Sequence, residues 1–250
     1  MIETLAGAYQ MADLLPDRPQ NGYERACKLV TGDLTHARIQ WGGPSVGTRI
    51  WASASGTEAP AFAGTVRQSF PDHALLRADV AIDYCEPGAW DSLSSLALEV
   101  ADRFQLKVKH LGDFHREKDG RTLYIGSRQS PVMQRVYEKG KQTGGDPDHV
   151  RCELELKPKN AAARAAYASA SPEQMWGASR WTSFVLRVLQ GSDAPMLAPP
   201  GTVRQKSDDE RALEFMARQY GKILRKKLEA LGGDVEAFGL FVARLVTEDQ

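Results

Sequence analysis

The chain has 250 residues, with 32 basic and 32 acidic side chains and a formal net charge of zero. That is enough for one large domain or two small ones around a sizeable core. No run approaches the roughly 18 apolar residues of a membrane span, and Met1-Ile2-Glu3-Thr4 lacks the basic-then-apolar pattern of a secretion signal. A soluble cytoplasmic protein with no membrane partner is expected. Three cysteines, Cys27, Cys85 and Cys152, are odd in number and far apart, which fits neither a disulfide framework nor a zinc knuckle.

The neutral total weighs lightly against nucleic acid, whose binders are usually basic, but the charge is unevenly spread. Residues 1–102 carry 7 basic and 13 acidic side chains, whereas residues 103–142 carry 10 basic and 4 acidic ones, plus His110 and His115. One segment therefore holds the positive excess.

Along the chain, the first 35 residues are turn-rich and read as irregular. The runs His36–Trp41 and Thr48–Ala54, separated by Gly42-Gly43-Pro44, predict a hairpin. Arg77–Tyr84 predicts a strand. Asp91 then reads as the N-cap of an amphipathic helix bearing Leu93, Leu96, Ala97, Val100, Ala101 and Phe104 on one face. Lys107–Leu111, Thr122–Ile125, Val132–Lys139 and Val150–Lys157 predict further short strands. From Asn160 the character turns helical, over 161–170 and 173–190, followed by a proline-rich loop at 191–201. Ser207 with Glu210 forms a capping box for a long helix. Gly232-Gly233 ends that helix, and Asp234 caps a last one. The expected fold is α+β: a mainly antiparallel sheet with helices on one face over residues 1–160, then a helical region, 161–250, packing on it.

Strand side chains alternate between faces. In Arg77–Tyr84 one face holds Arg77, Asp79, Ala81 and Asp83; in Arg151–Lys157 one face holds Arg151, Glu153, Glu155 and Lys157. Val132–Lys139 has Arg135, Tyr137 and Lys139 on its polar face. Each strand alone reads as a solvated face decorated with ion pairs. Taken together, four carboxylates beside a tyrosine and several bases point to a site. Carboxylates repel phosphate unless a cation intervenes, and Asp and Glu oxygens are the hard ligands that Mg2+ or Mn2+ takes. A tyrosine attacking phosphorus needs a neighbouring cation or base, which Arg135 and Lys139 supply in this reading.

Four segments in order resemble the replication initiation factors of filamentous phages and rolling-circle plasmids. They are Arg77-Ala78-Asp79-Val80-Ala81-Ile82-Asp83, Thr122-Leu123-Tyr124-Ile125-Gly126-Ser127-Arg128-Gln129-Ser130, Arg135-Val136-Tyr137-Glu138-Lys139 and Arg151-Cys152-Glu153-Leu154-Glu155. The likeness spans roughly 70–190. It implies a tyrosine nickase that cuts one strand of a single-stranded or hairpin origin, keeps the 5′ phosphate on the tyrosine, and frees a 3′ hydroxyl to prime synthesis with a host helicase and polymerase. Carried over, Tyr137 is the nucleophile, with Tyr124 a second choice that more plausibly stacks on a base. Arg135 and Lys139 assist it. Asp83 and Glu153, then Asp79 and Glu155, are the pool of ligands for Mg2+ or Mn2+. Arg77, Arg121, Tyr124, Ser127, Arg128 and Lys141 are expected to contact DNA.

The chain departs from the larger histidine-based nickases in lacking a paired-histidine metal motif, and its first 70 residues show no helix-turn-helix. Asp79 or Asp83 with Glu155-Leu156-Lys157 also meets the loose pattern of a metal-dependent endonuclease, which forms no covalent adduct. A non-catalytic DNA-binding regulator and a conjugative relaxase are further alternatives. The helix after Ser207 carries Arg225-Lys226-Lys227 beside an apolar stripe, so a homodimer is another expectation.

Overall fold

The strands sort into two separate antiparallel sheets. The computed structural model describes residues 1–9, 12–115, 120–191, 194, 196–197, 200–201 and 207–247. The first sheet has the order β1 (Asp13–Pro16), β2 (Arg25–Thr31), β3 (Leu34–Trp41), β4 (Trp51–Ser53). The hairpin expected at 36–54 is its β3–β4 pair. Helices α1 (Ile2–Ala8) and α2 (Ala59–Ser69) accompany it, and Leu5, Cys27, Leu29, Ala37, Ile39 and Val66 form its core.

Within the first 35 residues, 2–8 form a helix and 13–16 and 25–31 form strands, contrary to the expectation of irregular structure. Their strands hide from a search for alternation for two reasons. Strand β1 is exposed along its whole length and contains Pro16, as edge strands tolerate. Strand β2 carries a bulge between Leu29 and Val30, which breaks the period of two.

The second sheet follows the order β5 (Ala78–Cys85), β9 (His149–Leu156), β8 (Val132–Tyr137), β7 (Thr122–Ile125), β6 (Val108–Leu111). Its apolar face presents Ala78, Val80 and Ile82 of β5, Cys152, Leu154 and Leu156 of β9, Val132 and Val136 of β8, and Leu123 and Ile125 of β7. These join one core with helices α3 (Ala89–Arg103), α5 (Ala161–Ala168), α6 (Pro172–Trp176) and α7 (Arg180–Gln190). Trp176 is fully buried there, and Trp181 and Phe184 pack against it. Helix α3 starts two residues before the expected cap: Gly88, at φ 82, turns the chain into the helix, and Asp91 falls in the first turn. Such a φ is open to glycine without steric cost. The α+β class holds.

The chain divides into compact units at 203/204 rather than at 160/161. Helices α5 to α7 share the second sheet's core, so the first unit extends well past residue 160. Within the second unit, α8 (Asp208–Ala230) opens on the Ser207–Glu210 capping box, and Asp234 Oδ1 caps α9 (Val235–Thr247). Of the loop at 191–201, residues 192–193, 195 and 198–199 lie outside the described residues. All three cysteines are free thiols.

Candidate active site

Strand register converts the alternating charges into rows. On the face away from the helices, one row holds Asp79, Glu155 and Met133. The next holds Ala81, Glu153, Arg135, Tyr124 and Lys109; the third holds Asp83, Arg151, Tyr137, Thr122 and Leu111. The three strands read separately thus become one polar surface, with β9 at its middle.

Glu153 and Glu155 are buried, and a buried carboxylate is costly unless it is paired and hydrogen-bonded. Each has a cation. Arg77 Nη2 lies 2.6 Å from Asp79 and 2.7 Å from Glu155, whose other oxygen meets Lys157. Arg135 holds Glu153. Arg151 grips Asp83 with two bonds of 2.7 and 2.8 Å, and His149 Nε2 lies 2.9 Å from the same carboxylate. That bidentate bond holds the Asp83 carboxyl below the usual carboxylate range.

Tyr137 stands among these groups. Its hydroxyl donates to Glu153 Oε2 at 3.1 Å, Arg151 is its cross-strand neighbour on β9, and the Arg135 guanidinium lies 5.3 Å from the ring centroid. Burial, and then the Glu153 charge, push the phenol above its ordinary pKa. The tyrosine is therefore protonated at neutral pH, with an acceptor for its proton already in contact. Arg135 Nε is buried without a hydrogen-bond partner among the described residues, so one guanidinium donor beside the phenol is left unsatisfied. Opposite Glu153, the small and exposed Ala81 leaves the β5 side of that carboxylate uncrowded.

Four carboxylates offer the oxygen donors that Mg2+ or Mn2+ prefers, but each already engages a basic side chain. Among the described residues, no group of three or more His, Cys, Asp or Glu gathers to hold a metal ion. As placed, Asp79, Asp83, Glu153 and Glu155 do not fit one.

Beyond Tyr137 the chain turns sharply. Strand β8 ends there, so Lys139 is not on the strand face as expected; it opens α4 (Lys139–Thr143). Gly140 sets this turn, since a Cβ on it would lie 1.5 Å from Asp146 O. The close approach brings the chain back to His149 and hence to Asp83. Glu138 anchors the corner. It is buried and accepts from Arg121 N at 2.7 Å and from the Arg121 guanidinium at 2.8 and 3.0 Å, with Lys141 Nζ also at 2.8 Å. These partners overcome burial and hold the carboxyl down at about 2.

The residues expected on DNA separate accordingly. Arg121 and Lys141 are committed to Glu138, and Arg121 also lies 4.5 Å from the Trp90 ring, on the helix side of the sheet. Arg77 belongs to the carboxylate row. Tyr124 is the cross-strand neighbour of Arg135, and the Arg128 guanidinium lies 5.8 Å from its ring centroid. Ser127 and Arg128 are exposed in the turn between β7 and β8. Sequence reasoning left out Arg151, His149 and Glu138 as site residues. Arg151 was findable, since it shares the face of Glu153 by alternation; His149 needed the Gly140 turn.

A family model described as "Replication initiation factor" matches residues 74–238. The chain belongs to that family. In this replication initiation factor the matched stretch holds the whole second sheet, including every row above, while the first sheet precedes it. The search of curated proteins returned no match. Among solved structures, "Structure of Rolling Circle Replication Initiator Protein from Geobacillus stearothermophilus" is similar with a TM-score of 0.54 and 16% identity, over 79% of this chain and 91% of that one. At that identity the likeness concerns the fold. No described helix is long and apolar enough to cross a membrane.

Proposed function

We propose that this replication initiation factor acts in rolling-circle replication by nicking one strand of its origin through Tyr137. The observation that carries the reading is the phenol of Tyr137 donating to Glu153 with Arg135 and Arg151 beside it. Tyr137 Oη attacks phosphorus as its proton passes to Glu153 Oε2. The bond from phosphorus to the 3′ oxygen breaks, and that oxygen takes a proton to leave as a 3′ hydroxyl. The 5′ phosphate stays on the tyrosine. Arg135 and Arg151 stabilise the charge that develops on the phosphoryl oxygens.

Tyr137 is only 6% exposed, so the substrate has to open the row. Guanidiniums bind phosphate and carboxylate with the same fork geometry. Arg135 and Arg151 can therefore exchange a carboxylate for a scissile phosphate, which uncovers the phenol and frees Glu153 to act as base. Need for Mg2+ or Mn2+ is part of the proposal to be tested, and no step is assigned to it.

The test is incubation with a single-stranded or hairpin origin oligonucleotide, with Mg2+, with Mn2+ and with chelator, followed by a denaturing gel. A covalent shifted band that vanishes in Tyr137→Phe supports the nickase. Cleavage that survives this change points to a hydrolytic endonuclease, and binding without cleavage to a regulator. Replication is separated from conjugative transfer by whether the freed 3′ hydroxyl is extended by polymerase in a cell extract.

A further inference from the structure

The second unit leaves a row of apolar side chains uncovered. Along α8, Leu213, Met216, Tyr220 and Ile223 are 59, 40, 51 and 66% exposed, and none belongs to the core of either sheet. Spacings of three, four and three residues put them on one stripe, the a and d pattern of a coiled-coil seam. Asp209, exposed, and Lys227, half-buried, extend the stripe by one position at each end. Leu224, Leu228 and Leu231 are half-buried on a neighbouring stripe, so α9, which packs against α8, leaves the first one open. The exposed apolar residues of α9, Val235, Leu240 and Leu245, are five apart, which scatters them around that helix. The ordered seam is on α8.

That seam reads the same from both ends, with successive spacings of 4, 3, 4, 3 and 4 residues from Asp209 to Lys227. A second copy of α8, laid antiparallel about a two-fold axis at Arg218, therefore matches it position for position. Leu213 meets the partner's Ile223, Met216 the partner's Tyr220, and Asp209 the partner's Lys227. Arg218 itself points away from the stripe. Charge agrees with this direction. Residues 208–217 carry four acids and one base, whereas 218–230 carry five bases and one acid. Antiparallel pairing sets each acidic half against a basic one; parallel pairing sets like charges together. The layout also suits the helix's own dipole, but a dipole calls for no apolar row between the charges. Lys227 Nζ already lies 4.7 Å from the Phe241 ring centroid. A ring face supplies no carboxylate, so the two contacts are compatible on different sides of the ammonium.

We propose that α8 is a homodimerisation helix, pairing antiparallel with α8 of a second copy of this chain through Leu213, Met216, Tyr220 and Ile223. A contiguous exposed apolar patch of this kind marks an interaction surface, and the self-complementary row selects a second copy as its occupant. The same patch serves both partners, so the assembly closes at two chains. The inference does not depend on the nicking reading.

The test uses the full chain and reads mass by light scattering over a concentration series. The parent is expected at the mass of two chains. Met216→Glu/Ile223→Glu, which places carboxylates in the seam, is expected at the mass of one, with the circular dichroism of a folded protein because both side chains are exposed. Lys227→Asp is expected to weaken the dimer by facing the partner's Asp209, and adding Asp209→Lys to restore it. Each swap opposes the helix's own dipole, and the second does not bring back the Phe241 contact. An effect confined to one chain would therefore worsen in the double swap. Direction is read in a Cys85→Ser background: Leu213→Cys and Ile223→Cys chains are expected to form an interchain disulfide when mixed and oxidised, and neither when alone. A parent of one-chain mass at every concentration overturns the proposal, as does a dimer that survives Met216→Glu/Ile223→Glu. Crosslinking of either cysteine variant alone, or no recovery in the double swap, overturns the antiparallel pairing.

Discussion

The corner around Glu138 and the row around Glu153 use the same parts, a buried glutamate and arginines, in different proportions. Glu138 is saturated: a backbone N–H, a guanidinium fork and an ammonium leave its oxygens no spare capacity. Glu153 meets one arginine and one phenol, and the arginine keeps a donor unpartnered. A saturated network holds structure; an unsaturated one has room for a ligand. Counting charges would not separate them.

The largest break in that comparison is expected from Tyr137→Phe. It keeps the ring and deletes the proposed nucleophile, so the covalent band should fall by roughly 10^4-fold or more, with circular dichroism unchanged. Glu153→Gln comes next. It retains shape but loses the proposed proton acceptor, and single-turnover nicking should slow by roughly 10^2 to 10^4-fold, with a smaller loss of stability than Glu138→Gln because one cation rather than two is left without its anion.

Glu138→Gln should do the reverse. It leaves two cations without their anion and is expected to cost about 3 kcal/mol of stability in urea titrations at neutral pH. Since folding lowers the Glu138 carboxyl from 4.5 to about 2, its stabilisation is present above pH 4.5 and is lost as pH falls through about 2. The parent should show that acid loss and the variant should lack it. Gly140→Ala forces the Asp146 loop outward and should cost about 2 kcal/mol, read by the same titration.

The smallest effect is expected from Asp83→Asn, which loosens Arg151 without touching the phenol. About a tenfold slowing is consistent with a positioning role, with DNA affinity held or raised. Complete loss of cleavage, with Mn2+ binding lost alongside it in a titration, would instead make Asp83 a metal ligand.

Much of the second sheet was legible because its strands alternate cleanly. Thr122–Ile125 was bounded correctly, and Asp83, Glu153, Arg135 and Tyr137 were placed on polar faces before any pairing was known. Alternation gives a face but not a neighbour. That Glu153 meets Tyr137, while Asp83 meets Arg151 and His149, depends on register across strands distant in sequence. Arg121 shows the other limit. It reads as a phosphate contact from charge alone, yet Glu138 and Trp90 draw it to the helix side.

The sheet order has a consequence for synthesis. Strand β9 is the last of its sheet to be made, yet it lies between β5 and β8. Until residue 156 has left the ribosome, β5 has no partner strand, and Tyr137 has neither Glu153 nor Arg151 beside it. Pairing β5 with β9 closes a long stretch of chain, a slow kind of step. Under the proposed mechanism, a nascent or truncated protein ending before His149 lacks the groups that Tyr137 needs, and they reach it only when the sheet is complete.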